Sequence, residues 1–264
     1  MPDFLPYLLA ALIYLAVAAL YWRRTEIATP WSQVAVSGAL VIHGWLLYRS
    51  IFVAEGMNLG LTNAISAIFW LTSLIYWGAS LRHDLHRLQA FVLPPTALFV
   101  LLQWALPETH QLSYAAEPLF RLHLVIAFTA YSLFTFAALH ALLMAGAERA
   151  LHRKPTLFRL PDFPPLISME NLLFQIIKLG FSLLTLTLAS GILFSEQLFH
   201  KPLVFNHKTV FSIIAWMIFG GLLLGRWKAG WRGKTAVRWT LSGFVVLFLA
   251  YLGSKFVLEV ILHK

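Results

Sequence analysis

Residues 208–238 read KTVFSIIAWMIFGGLLLGRWKAGWRGKTAVR. From Thr209 to Gly225 no residue is charged, and the run then meets Arg226, Lys228, Arg232, Lys234 and Arg238. A helix that crosses the hydrocarbon core needs ~20 mostly apolar residues, with a range of ~17–25. Lysines and arginines gather in the cytoplasmic loops beside such helices. The stretch therefore reads as a membrane span followed by a cytoplasmic turn.

The same pattern recurs along the chain and predicts eight spans, near 4–22, 34–49, 61–80, 90–106, 122–146, 176–197, 208–225 and 239–261. The second and fourth are short, with Trp45, Tyr48 and Trp104 as interfacial flanks. Arg23 and Arg24 follow the first span, and Arg82 and Arg87 the third. Arg149, Arg153, Lys154 and Arg159 follow the fifth. With the five after the seventh, thirteen basic residues lie in odd-numbered connections. Five lie in or at the edges of the other connections and at the tail: Arg49, Arg121, Lys201, Lys208 and Lys264. That asymmetry predicts cytoplasmic odd-numbered loops and both termini outside. The expected fold class is an all-α integral membrane protein, a bundle of eight transmembrane helices forming one membrane domain over 1–264.

Composition agrees. The 264 residues are 59% hydrophobic and 12% charged, with a mean hydropathy of +0.75. A soluble domain is roughly half apolar and a quarter charged. The net charge of +9 would suggest nucleic acid in a soluble protein; here it is the surplus of the cytoplasmic loops, and the expected partner is the lipid bilayer, with no nucleic acid. The absence of cysteine excludes disulfides, thiolate metal sites and covalent c-type haem attachment. The first span lacks a basic leader and a small-residue cleavage site, so it reads as retained. The proline-rich stretch with Pro155, Pro161, Pro164 and Pro165 is predicted irregular, with Ser168 as the cap of the next helix and Glu170 in its first turn. Asn58 and Asn63 around Gly60 suggest a packed turn, and Lys255 and Glu259 share a helix face as an ion pair. Motifs of soluble hydrolases, P-loops and zinc peptidases do not occur, and no enzymatic activity is expected.

Orientation sorts the histidines by depth. His123 opens the fifth span at the outer edge, and His140, seventeen residues on, lies ~25 Å deeper. His43 falls near mid-membrane, where an ionisable group is costly and faces a bundle interior. His110, His200 and His207 belong to outer segments, and His263 follows the last span. His83, His86 and His152 sit among cytoplasmic arginines. Haem iron accepts two neutral imidazoles from opposite faces, which must share a depth. His123 can be matched by His207, His263 or His200, but not by His140. An outward-facing bis-histidine site is geometrically possible.

Five segments carry a family resemblance: PLISMENLL at 165–173, LGFSLLTLTLASG at 179–191, KTVFSIIAW at 208–216, GWRGK at 230–234 and YLGS at 251–254. In motif order, span number and length the chain resembles the CcsA/CcmC cytochrome c assembly family, in its small YpjD/HemX-like branch. The resemblance implies a multi-pass protein of the bacterial inner membrane that handles haem b non-covalently, with other cytochrome assembly or haem-synthesis proteins as partners. It implies His123 and His263 as the external ligands of haem iron and His43 as an intramembrane haem residue, with His207 a further candidate. His43 would serve a haem access path and its truncation would be tolerated by the fold. Glu196 to Lys208 reads EQLFHKPLVFNHK, without the tryptophan-rich WWD segment of haem-handling members, and Arg226 and Lys228 stand where a second intramembrane histidine is expected. Two functions follow: a haem-binding accessory protein, or a haem-free scaffold that acts on a partner through its cytoplasmic loops.

Overall fold

Seven-residue spacing organises the first half of the chain. The computed structural model describes residues 3–23, 30–53, 56–81, 86–107, 111–112, 117–152, 165–199 and 207–250. Among these, four helices form a first compact unit: α1 (Phe4–Arg23), α2 (Pro30–Ile51), α3 (Leu61–Ser80) and α4 (His86–Ala105). Each packs on the next, and α4 closes the ring against α1. Tyr7, Tyr14 and Tyr21 recur every seventh residue along α1, and all are buried. On α3 the same spacing buries Ser66, Ser73 and Ser80; on α4 it buries Gln89, Thr96 and Gln103. These meet in antiparallel pairs: Ser66 donates to Gln103 Oε1 at 3.0 Å, Ser73 and Thr96 share a bond of 2.7 Å, and Gln89 Nε2 donates to Ser80 at 2.9 Å. Steps of two turns are ~10.5 Å apart, so the pairs fix helix register at three levels. Interhelical hydrogen bonds of this kind contribute ~0.6–2 kcal/mol each in a membrane.

A second unit contains α5 (Pro118–His152), α6 (Leu166–Phe199), α7 (His207–Ala229) and α8 (Gly233–Phe248). It repeats the ring: α5 on α6, α6 on α7, α7 on α8, and α8 on α5. Phe134 fits against Gly180 and stacks on Phe219, and Trp216 donates to Thr185 at 2.9 Å. Two of the quoted motifs, 179–191 and 208–216, thus bond directly to one another.

Among the described residues, six helices are long and apolar enough to cross a membrane: α1, α2, α4, α5, α6 and α7. In α3 the buried Thr62, Asn63, Ser66, Thr72 and Ser73 lower the hydropathy. Helix α8 is described over only sixteen residues. Helices α2 and α4 are longer than expected, at 22 and 20 residues. Their added turns are polar but tied into the unit: Ser32 accepts from Tyr21 at 3.1 Å, and Gln33 and Gln89 both donate to Ser80, at 3.3 and 2.9 Å. Ser168 is not a helix cap. Helix α6 begins at Leu166, and the Pro165 carbonyl accepts from the Ser168 and Met169 amides. Glu170 lies beyond the first turn and has another task, described below.

A three-stranded antiparallel sheet, absent from the sequence expectation, joins the connection from α2 to α3 with the segment after α4: β1 (Phe52–Val53), β2 (Gly56–Asn58) and β3 (Gln111–Leu112). Met57 pairs with both Phe52 and Leu112. The turn between Asn58 and Asn63 is packed as anticipated, with Asn63 Nδ2 donating to the Asn58 carbonyl at 3.3 Å. The pair Lys255–Glu259 and most of the irregular stretch after α5 lie outside the described residues.

Candidate functional site

His123 stands in the second turn of α5 and is half-buried. Its Nδ1 lies 2.7 Å from Ser190 Oγ on α6. With its hydroxyl donating to the Thr187 carbonyl at 3.1 Å, Ser190 is placed to accept from Nδ1–H. That assigns the neutral ring its lone pair on Nε2, the arrangement that second-shell bonds impose on metal-ligating histidines. The next residue is Gly191, whose missing side chain leaves the nearest space beside the imidazole Cε1, 3.7 Å from where a Cβ would stand. The motif 179–191 therefore ends on His123: Ser190 orients the ring and Gly191 stays small beside it.

Helix α7 begins close to this level. Phe181 meets Gly220 and Thr185 meets Trp216, so α6 and α7 run antiparallel with His207 opposite residue 194. The α7 backbone starts about one turn, ~6 Å, beyond His123. The His207 side chain, like those of His86 and His152, is outside the described set, as are His83, His110, His200 and His263 altogether.

His140 is placed differently. It is fully buried, and Nε2–H donates to the Met169 carbonyl at 2.9 Å, tying α5 to the start of α6. It lies more than four turns from His123 on the same helix, so the two cannot share an iron.

His43 is also fully buried, at the centre of the first unit. Each of the other three helices contributes one polar group to its network: Tyr14 of α1, Ser66 of α3 and Gln103 of α4. Ser66 donates to Gln103, so it accepts from His43 Nε2–H at 2.8 Å; Tyr14 then donates to Nδ1 at 3.4 Å. Both ring nitrogens are engaged, and a metal could replace neither bond without displacing Ser66 or Tyr14. Truncation should not be tolerated by the fold, contrary to the sequence expectation. His43→Ala strands two buried hydroxyls and opens a cavity, a cost of about 2–4 kcal/mol. Thermal unfolding in detergent checks this; a loss below about 0.5 kcal/mol, the range of neutral surface changes, would show that the network contributes little.

At the basic end of the second unit, two more motifs close on each other. Glu170 of PLISMENLL accepts from Arg226 Nη1 at 2.6 Å and from the Gly233 amide at 3.0 Å, with Arg232 Nε at 3.7 Å. Arg226 also donates to the Trp231 carbonyl at 3.2 Å and lies over the Phe174 ring. Gly230 and Gly233 adopt φ of +64° and +52°, left-handed values that favour glycine, which explains both glycines of GWRGK. The Trp231 ring occupies the space where a Cβ at Gly225 would stand. Arg226 is thus the partner of Glu170.

Sequence reading identified His123 and His43 but not Ser190, Tyr14, Ser66 or Gln103. Their signal was present as seven-residue spacing of polar residues within apolar runs, and as a serine–glycine pair closing a motif.

These features define a multi-pass helical membrane protein with an oriented imidazole towards one end of its second unit and a locked basic turn at the other. The chain belongs to the cytochrome c assembly protein family, whose description matches residues 31–262. It is similar to the inner membrane protein YpjD of Escherichia coli K12, 32% identical over 246 residues, covering 91% of this chain and 89% of that one. An uncharacterised 28.8 kDa protein of Azospirillum brasilense is 29% identical, covering 85% of each chain. The cytochrome c biogenesis protein CcsA of Trichormus variabilis matches at 31% over 86 residues, a third of this chain and 24% of that one. No solved structure matches significantly. The protein is a multi-pass protein of the bacterial inner membrane, and its family membership supports a role in cytochrome c biogenesis.

Proposed function

We propose that this protein is a haem-binding accessory factor of cytochrome c assembly, holding haem b non-covalently at His123. The observation that carries the reading is the Ser190 bond, which leaves Nε2 as the lone-pair nitrogen of a half-buried ring. Neutral imidazole with a fixed tautomer is what haem iron accepts. His207, whose helix starts about one turn away, and His263 are the candidates for a second ligand. His43 fits an iron ligand poorly as it stands; its part in this reading is to hold the first unit together. Bound haem would supply iron redox chemistry, while the chain's own residues hold, orient and shield; no residue set for bond-making by the protein itself enters the reading. Assembly or haem-synthesis proteins are the expected partners. Titration of the purified protein with haemin, with and without His123→Ala, tests the assignment.

The same reading treats 1–264 as one membrane domain of eight spans, with both termini outside and the Glu170–Arg226 turn in the cytoplasm. The chain has no cysteine, so single cysteines can be introduced without background. Cysteines after Arg24, within 150–160 and within 226–238 should all be protected from an impermeant maleimide added outside intact spheroplasts. Labelling of the 230–234 turn from outside would reverse the orientation.

A second reading, a haem-free scaffold acting through its basic loops, is favoured by the rigid turn at Glu170 and by the lack of tryptophan between Glu196 and Lys208. It predicts full haem-independent function when His123 is replaced, and loss when Arg232 and Lys234 are neutralised.

A further inference from the structure

We propose that the cleft between α5 and α8 at the basic end of the second unit is a binding site for an anionic phospholipid. The inference rests on the protein's place in the membrane and is independent of haem. The cleft has a volume of about 640 Å³ and is lined by one face of each helix. On α5 the lining residues fall at 142, 145, 146, 148 and 149; on α8 they fall at 234, 237, 238 and 241. Both sets follow the three-and-four spacing of a single helical stripe.

The two stripes run antiparallel, which grades the cleft by depth. Lys234 Nζ lies 3.8 Å from Glu148 Oε1, so Arg149 and Lys234 share the mouth. Arg238 follows one turn further in, and Leu142 faces Leu241 about two turns, ~10 Å, from the mouth. Charge therefore gives way to apolar surface over the distance that separates a lipid phosphate from its acyl chains. Three basic side chains line the cleft against the single carboxylate of Glu148. The apolar part is open beside Gly146: a Cβ added there would meet nothing within 4 Å. Leu142 is 54% exposed, on the side a chain would cover. Basic pockets between membrane helices at the interface select anionic headgroups, with about 1 kcal/mol per nearby Lys or Arg. A phosphodiester carrying two acyl chains matches both ends of the cleft. A soluble phosphate matches only the mouth.

The test is native mass spectrometry of the purified full-length protein in detergent, mixed with phosphatidylglycerol or with phosphatidylcholine of the same chains. Phosphatidylglycerol should be retained about tenfold better or more. The triple variant Arg149→Gln, Lys234→Gln, Arg238→Gln should abolish the preference. Gly146→Leu, which keeps every charge and fills the apolar part, should weaken retention of phosphatidylglycerol. Equal retention of the two lipids, or an undiminished preference in the triple variant, would overturn the proposal. Displacement of phosphatidylglycerol by millimolar inorganic phosphate would also overturn it, by assigning the mouth to a free anion.

Discussion

Glu170→Ala is expected to destabilise the protein by on the order of 3 kcal/mol, the low end for breaking a buried ion pair. The carboxylate is 13% exposed and its partner Arg226 21%, so solvent screens the pair only in part. Truncation removes the acceptor for both Arg226 and the Gly233 amide. Arg226 is left with the Trp231 carbonyl and the face of Phe174, neither of which neutralises its charge. The turn that Glu170 holds should also become cleavable. Thermal unfolding in detergent, followed by the fluorescence of the Trp231–Trp239 pair, reads the first effect. Limited proteolysis after Arg232 and Lys234 reads the second. Glu170→Gln keeps an acceptor without the charge and should fall between wild type and Ala. The double change Glu170→Leu, Arg226→Leu removes both charges and should be milder than Glu170→Ala alone. Unchanged unfolding and unchanged cleavage in Glu170→Ala would mean that the motifs are not held together by this carboxylate.

The helical membrane character and the basic turns were legible because each is a property of a continuous stretch: an apolar run, or a cluster such as Arg226 to Arg238. The ends of α2 and α4 were not. Their terminal turns carry Ser32, Gln33 and Gln89, which hydropathy excludes from a span, yet their bonds to Tyr21 and Ser80 make a helical turn favourable there. The sheet was hidden because strands of two or three residues carry no periodicity. Ser168 looked like a cap because it precedes Glu170, but the helix already begins at Leu166, and the Pro165 carbonyl accepts from its first turn. His43 and His123 stood out as costly groups in apolar spans, and that reasoning could not separate them. What separates them is tertiary: His43 is fully buried and bonded on both nitrogens, to Tyr14 of α1 and Ser66 of α3, whereas His123 meets Ser190 of α6 and stays half-buried. No local pattern encodes that difference, although the seven-residue spacing of Tyr14, Ser66 and Gln103 among their neighbours hints at it.

Replacing His123 should have the largest effect on haem. The account gives iron one nitrogen, Nε2 of a ring whose tautomer Ser190 sets, so His123→Ala removes the ligand outright. Ser190→Ala keeps the imidazole but releases its orientation; loss of such outer-shell partners commonly costs 10–100-fold in metal affinity, about 1.4–2.7 kcal/mol. The Ser190 variant separates a ligand from a packing residue, because a histidine that only packs would lose nothing spectroscopic when its serine partner is removed. His140→Ala serves as the control: it breaks the bond to Met169 and lowers stability, but leaves the site at the far end of α5 intact.

The visible absorption spectrum of the purified, haem-loaded protein, oxidised and reduced, tests this most directly. The account predicts a Soret band in the wild type that is retained per folded molecule in His140→Ala, weakened and shifted in Ser190→Ala, and lost in His123→Ala. A Soret band of full intensity in folded His123→Ala, or none in the wild type, would contradict it.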